Sequence, residues 1–410
     1  MKVDKRKLPE GWKWVKLGEV LAYEQPNKYI VKDEQYDKRH GIPVLTPGKT
    51  FILGFTQEHQ GIYNNIPVII FDDFTTESRY IAFPFKLKSS AVKILRSKCN
   101  FVNLYYVYNS MQLLNFKPGS EHKRFWISEY SKFLIPLPPL SEQRKIAEIL
   151  ETIDNAIEKT DAIIEKYKRI KQGLMQDLLT KGVVSEGEGE SERWRLRDEN
   201  IDKFKDSPLG RIPEEWEVVR LGEVFDIFAG GDIDNENFSE EKTLTHKYPI
   251  YSNSLEKNGL FGYSSKYKFN ENCITVTGRG TLGYAVPRYE KFNAIIRLLV
   301  LQPKKQLNIK FVAEYINNKI KFSIESTGVP QLTVPHISGY SISLPSLPEQ
   351  QRIASILSQI DEAIEKEQAY KEKLERIKKG LMEDLLTGKV RVNHLIEISG
   401  NKSRGEKIEK

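Results

Sequence analysis

Cysteine is nearly absent from this 410-residue chain, with two residues, Cys99 and Cys273, one in each half. No disulfide framework is encoded, and a reducing cytoplasm suits such a chain. Histidine is scarce too. Its six positions, among them His40, His122, His246 and His336, form no HxxxH or Cys/His cluster, so no structural or catalytic metal site is expected. No apolar run approaches the roughly 20 residues that span a bilayer. The opening MKVDKRKLPEGW is charged with no apolar stretch behind it, so neither a signal peptide nor a membrane helix is expected. Also missing are a glycine-flanked nucleophile elbow with partners and the Asn/Asp-Pro-Pro-aromatic tetrapeptide of DNA amino-methyltransferases. Leu137-Pro138-Pro139-Leu140 lacks both the amide and the aromatic. These absences point to a non-catalytic chain. The net charge of +7 permits nucleic-acid binding without demanding it.

What is present is a repeat. Residues 141–180, SEQRKIAEILETIDNAIEKTDAIIEKYKRIKQGLMQDLLT, return as residues 348–387, PEQQRIASILSQIDEAIEKEQAYKEKLERIKKGLMEDLLT, displaced by 207 positions. Pairing 142–180 with 349–387 gives 25 identities over 39 positions. Ile146, Ile153, Thr160, Tyr167 and Leu174 recur every seven residues. Ile149, Ala156, Ile163 and Ile170 follow three positions after the first four, and Leu150, Ile157, Ile164 and Leu178 widen the stripe. The copy keeps Ile353, Ile360, Leu374 and Leu381 with Ile356, Ala363, Tyr370 and Ile377, while Glu367 interrupts one seam position. Each segment predicts one helix of roughly 60 Å. Alone, such a helix would expose its stripe to water, so the two copies are expected to pack as an antiparallel coiled coil. Gly173 and Gly380 sit inside the last turns and read as points of close helix–helix approach, with a flexible or partner-contacting end as the alternative.

The duplication reaches beyond the helices. Pro9-Glu10-Gly11-Trp12 and Leu17-Gly18-Glu19-Val20 return as Pro213-Glu214-Glu215-Trp216 and Leu221-Gly222-Glu223-Val224, and Leu137-Pro138-Pro139-Leu140 returns as Leu344-Pro345-Ser346-Leu347. The expected architecture is α+β, with an internal pseudo-twofold repeat. It comprises a first sheet-rich domain over 1–140, a long helix over 141–180, a linker over 181–207, a second sheet-rich domain over 208–347, a second helix over 348–387, and a polar tail over 388–410 that frays. Apolar runs at 66–71, 273–277 and 294–301 read as strands, and 102–114 and 309–318 as brief helices. The two globular halves have diverged while the frame around them has not. Selection has therefore made the globular halves differ.

Several constellations bear on chemistry. Gly278-Arg279-Gly280-Thr281-Leu282-Gly283 matches a dinucleotide fingerprint, but strand-like YAVPRY follows it where a helix should begin. A tight turn between strands is the better reading, with Arg279 at its tip. Glu121-His122-Lys123 and Glu240-Glu241-Lys242 match half of a nuclease site, with Asp72-Asp73 as further acids, yet they occupy unmatched places in the repeats. Basic and aromatic residues lie on loops of both halves: Arg79-Tyr80, Lys123-Arg124-Phe125-Trp126, Lys266, Lys268, Arg279 and Arg288. Arginine reads guanine edges and lysine anchors phosphates, so such loops suit DNA.

The helix entries LPPLSEQRKIAEIL and LPSLPEQQRIASIL, the helix ends GLMQDLLT and GLMEDLLTGKVRV, and the domain entries LPEGWKWVKLGEV and LGRIPEEWEVVRLGEV resemble the specificity subunits of Type I restriction–modification systems. The resemblance frames nearly the whole chain. It implies that each globular half is a target-recognition domain reading one part of an asymmetric double-stranded DNA site. Arg79, Lys123, Arg124, Lys266, Lys268, Arg279, Thr281 and Arg288 are then candidate DNA contacts. The long helices would set the gap and dock methyltransferase (M) subunits through Glu142, Gln143, Gly173, Leu174, Glu349, Gln350, Gly380 and Leu381. No catalytic residue or cofactor is implied on this chain. S-adenosylmethionine, ATP and magnesium would serve the methyltransferase and motor-nuclease (R) partners. The alternatives are an assembly scaffold without DNA binding, a self-sufficient nuclease, and the recognition subunit of a fused restriction–methylation system.

Overall fold

The computed structural model describes residues 8–46, 50–114, 116, 124–187, 193–322 and 331–396. It divides into two compact units, Met1–Ala162 with Gln368–Lys410, and Ile163–Glu367. Each unit takes one half of each long helix, so the compact bodies cut across the boundaries expected from composition.

In the first unit a four-stranded antiparallel sheet runs in the order Leu21–Glu24, Val92–Ser97, Val68–Asp72, Ser78–Ile81. Val68–Asp72 is buried at all five positions, as its unbroken VIIF run requires of a central strand covered on both faces. A smaller sheet of Ile52–Thr56, Ile42–Leu45 and Lys86–Leu87 lies in the same unit. The helix Leu104–Gln112 starts at Asn103, whose side chain accepts a hydrogen bond from the Tyr106 amide at 2.9 Å. Lys13–Lys16 pairs with Leu134–Leu137 and closes the domain onto the start of the first long helix.

The second unit repeats these parts in the same order. Its main sheet is Phe225–Ala229, Leu299–Pro303, Cys273–Val276, Ala285–Arg288, and its second sheet is Phe238–Ser239, Leu260–Ser264, Tyr248–Tyr251, Asn293–Ala294. Asn308 caps the helix Ile309–Lys319 through the Phe311 amide, and Glu217–Arg220 pairs with Ser341–Leu344. Side-chain detail is duplicated as well. Lys98 Nζ donates to the Gly18 carbonyl at 2.9 Å and Lys304 Nζ to the Gly222 carbonyl at 2.8 Å. The globular halves, faintly alike in sequence, are one fold written twice.

The long helices are Leu140–Leu178 and Leu347–Leu385, 39 residues each. In the first unit Ile146 and Leu150 share a core with Met382 and Leu385, and in the second Leu178 shares one with Ile353 and Leu357. Lys378 reaches Asp154 at 2.5 Å and Lys371 reaches Asp161 at 2.7 Å in the first unit, while Lys171 reaches Asp361 at 2.6 Å in the second. Numbers fall on one helix as they rise on the other, so the packing is antiparallel. Lys171–Asp361 and Asp154–Lys378 are the same pair in the two repeats. Polar pairs on a seam fix register at some cost in stability. At Asp361 burial opposes ionisation, but hydrogen bonds from Lys171 and Lys310 prevail and the carboxyl sits below its usual range.

The seam differs from the expected one. The positions turned inward are spaced four then three: Ile146, Leu150, Ile153, Ile157, Thr160, Ile164, Tyr167, Lys171, Leu174 and Leu178. Ile163 and Ile170, expected on the seam, are exposed, as are Tyr370 and Ile377 in the copy. Gly173 and Gly380 are not close-approach points either, because a Cβ at either would meet nothing within 4 Å.

Four of the expected docking residues are structural instead. Glu142 is 2 % exposed; it accepts from Trp12 Nε1 at 3.0 Å and from Arg391 Nε and Nη2 at 3.0 and 2.9 Å. Glu349, 4 % exposed, accepts from Trp216 Nε1 at 3.2 Å, the Val183 amide at 2.9 Å, and both Arg197 Nη atoms. Gln143 and Gln350 are buried; each accepts from the capping asparagine's amide, Asn103 or Asn308, and donates to a carbonyl of the preceding turn, Pro138 or Pro345. These four side chains are buried with hydrogen-bond partners inside the fold. Leu174 and Leu381 are half-buried against their unit cores. The tail expected to fray is partly held: Val392 is buried and Arg391 holds Glu142, while Val390, Asn393 and His394 are exposed and 397–410 lie outside the described residues. Within the linker, Val183–Glu186 and Arg193–Leu196 form a hairpin.

Candidate nucleic-acid interface

The turn between Val68–Asp72 and Ser78–Ile81 is built by two aspartates. Asp72 Oδ1 accepts from the amides of Phe74 at 2.7 Å and Thr75 at 2.9 Å, the short-range bonding that makes aspartate a turn former. Asp73 is 1 % exposed; its carbonyl accepts from the Phe125 amide and its Oδ1 from the Trp126 amide, both at 2.8 Å. Its Oδ2 lies 3.4 Å from Nζ of the buried Lys93. These carboxylates hold backbone. They also stitch two stretches distant in sequence, the hairpin turn and Arg124-Phe125-Trp126, into one surface. Arg124 is exposed there, beside the short helix Phe125–Ser128. Arg79 is exposed on the outer strand, its guanidinium 5.8 Å from the Phe51 ring centroid. Lys123, with Glu121 and His122, lies outside the described residues.

In the second unit the turn between Cys273–Val276 and Ala285–Arg288 occupies the same place in the sheet. The glycine fingerprint is therefore a strand-to-strand turn. Thr277 organises it, its amide donating to the Tyr284 carbonyl at 3.0 Å and its Oγ1 accepting from the Tyr284 amide at 2.9 Å. Gly283 has φ +81°, and a Cβ there would run into the Phe322 ring, so only glycine fits. Asn253 Oδ1 accepts from the Gly278 amide at 2.7 Å. The Gly278 carbonyl accepts from the Leu332 amide at 2.9 Å, and Arg279 bridges to Gln331. Leu332 is the position of Phe125 displaced by 207, so the two turns are tied to the same neighbour by the same bond. Arg279 and Thr281 are exposed at the tip.

Three sequence candidates fall elsewhere. Arg288 is 5 % exposed; Nε donates to Thr275 Oγ1 at 2.9 Å, Nη2 to the Asn258 carbonyl at 2.6 Å, and the guanidinium lies 3.5 Å from the Tyr251 ring centroid. It is a core arginine, and burial lowers its pKa. Lys266 and Lys268 are exposed but precede Cys273, at the far end of that hairpin from Arg279, and so are not part of the turn. Gln331 and Asn253 belong to the turn and carried no sequence signal; the offset of 207 between Phe125 and Leu332 was the one available clue. Among the described residues, no helix is long and apolar enough to cross a membrane.

The family model for the Type I restriction modification DNA specificity domain matches residues 9–168 and again 213–376. The chain is 31 % identical over 379 residues to the Type I restriction enzyme EcoR124I/EcoR124II specificity subunit of Escherichia coli, covering 85 % of this chain and 86 % of the relative. It is 27 % identical over 420 residues to the MjaVIII specificity subunit of Methanocaldococcus jannaschii, covering 95 % of each. A crystal structure of a Type I restriction–modification S subunit from M. genitalium has the same fold, with a TM-score of 0.65 at 15 % identity over 94 % of this chain and 98 % of that one.

Proposed function

The chain belongs to the Type I restriction modification DNA specificity family, and from that premise we propose how its two units divide the work. It is the specificity subunit of a Type I complex, and each unit reads one half of an asymmetric, bipartite duplex site. The observation that carries this reading is the pair of equivalent turns, 72–77 and 278–283, each accepting the same backbone bond, from Phe125 or Leu332, but furnished differently. A symmetric dimer repeats its reader and therefore reads a palindrome. One chain with two diverged copies is free of that restriction. Arg79 and Arg124 serve the first half-site, and Arg279 and Thr281 the second.

The coiled coil fixes the unread gap and docks methyltransferase subunits. The faces for docking are those left open by the seam: Ile163, Ile170 and Gly173 on the first helix, and Tyr370, Ile377 and Gly380 on the second. Two matched patches fit two copies of one partner. Catalysis belongs to the partners. Methyltransferase subunits modify adenine with S-adenosylmethionine, and motor-nuclease subunits use ATP and magnesium, all in a reducing cytoplasm.

Titration of duplex DNA with the chain and its methyltransferase partner, at fixed salt, tests the reading. Arg279→Ala and Arg124→Ala should each weaken binding by roughly 1–3 kcal/mol if they read bases. No loss in either returns both to ordinary surface, and an assembly that binds no DNA leaves the scaffold reading standing.

A further inference from the structure

The second unit has a basic and aromatic hollow at the end of the hairpin opposite Arg279. Tyr248, Tyr263 and Tyr289, with Lys242, Lys247 and Lys291, line an open cavity of 790 Å³. Tyr289 is 57 % exposed, and its neighbour Tyr267 is exposed as well. The Tyr248 and Tyr267 rings lie 5.0 Å apart between centroids; Lys247 Nζ is 5.2 Å from the first and Lys291 Nζ 4.7 Å from the second. The floor is preset. Tyr251 rests on the Arg288 guanidinium and donates its hydroxyl to Glu290, so one of the two acids in the lining is already engaged. Lys242, Lys247 and Lys291 outnumber the two acids of the lining, Glu271 and Glu290, and exposed Lys266 and Lys268 lie near in sequence. An anion is favoured, and the ring faces favour one that carries a flat apolar part.

The corresponding positions of the first unit carry other side chains. Pro249 pairs with Tyr263 where Pro43 pairs with Phe55, and Phe292 bridges to Phe269 where Phe85 bridges to Tyr63. Carried along those registers, Tyr248 becomes Ile42, Tyr289 becomes Ala82 and Lys291 becomes Pro84. Only Phe55 keeps an aromatic, and no lysine is kept.

We propose that this hollow binds a nucleotide out of the stack, its base on the tyrosine faces and its phosphate on Lys247 and Lys291. Bases in a duplex hide their faces, whereas an unpaired one offers them to aromatic side chains over a basic groove. A free mononucleotide and a nucleotide within single-stranded DNA share this chemistry. The site stands apart from the Arg279 turn, so it can fail while the reading of duplex by that turn survives.

The test uses the full chain and fluorescein-labelled oligothymidylate at low salt, with thymidine monophosphate as competitor. Tyr289→Ala should weaken binding roughly five- to a hundred-fold, Tyr289→Phe should restore it, and Lys291→Ala should weaken it while flattening its salt dependence. Oligothymidylate held far more tightly than the competitor identifies a strand, and equal competition per nucleotide identifies a free nucleotide; either supports the site. The absence of binding to both probes, or oligothymidylate affinity unchanged in Tyr289→Ala and Lys291→Ala, overturns it.

Discussion

Replacing Arg197 with methionine strands a charge. Arg197 and Glu349 side chains are each 6 % exposed, so the carboxylate would lose its cation where water cannot replace it. Removing one member of a buried ion pair costs about 3–5 kcal/mol. Glu349 retains the Trp216 indole and the Val183 amide, which places Arg197→Met at about 3 kcal/mol. The first unit supplies an internal control in Arg391–Glu142, where the arginine is 30 % exposed and the glutamate 3 %. Water reaches that guanidinium, so Arg391→Met should cost about 1–2 kcal/mol, between the exposed and buried limits. Adding Glu349→Gln to Arg197→Met removes the stranded charge and should recover about 1 kcal/mol or more, a coupling that a double-mutant cycle reads directly. Urea denaturation of the full chain at neutral pH, with unchanged m-values, measures these three variants and the Glu349→Gln single that completes the cycle. Arg197→Met lying within about 1 kcal/mol of the parent, or Arg391→Met costing more than Arg197→Met, would refute the reasoning.

Two further outcomes follow from local geometry. Gly173→Ala and Gly380→Ala add a methyl into open space within a helix, so each should raise stability by about 0.5–1 kcal/mol in the same assay, and a loss would reveal a neighbour the geometry does not contain. The Glu58 carboxyl is held down to about 2 by the Asp33 amide first and then by Lys86. Its folded pKa lies below its unfolded one, so the stabilisation is complete above the unfolded value and disappears as pH falls through the folded value. Acid unfolding of Glu58→Gln should therefore be flatter than the parent's between about pH 4.5 and 2, and superimposable acid limbs would count against the assignment.

The helices were legible because a seven-residue period survives any change in what surrounds it. The facing side was not. Apolar residues stood at three and at four positions after each heptad residue, and residue type alone could not tell which flank met water; packing chose the four-spaced set and left Ile163 and Ile170 outside. Glu142 and Glu349 were expected at a docking surface, since their arginines lie 249 and 152 positions away in sequence. Arg288 looked like surface charge for the same reason, because the Tyr251 ring that covers it belongs to another strand. The duplicated sheets were hidden most completely. A strand is specified by alternation and burial, which many residues satisfy, so two copies keep register while sharing little beyond a trace such as Pro43 and Pro249.

The central claim, two independent readers on one chain, is tested most directly by methylation. The chain assembled with its methyltransferase partner is incubated with genomic DNA, and methylated adenines are mapped by sequencing, for the parent and for a chimera carrying another subunit's residues 1–140. The expected result is two unrelated half-sites at a constant spacing, with only one half altered in the chimera. A contiguous or palindromic site, or a chimera that changes both halves together, would contradict the account.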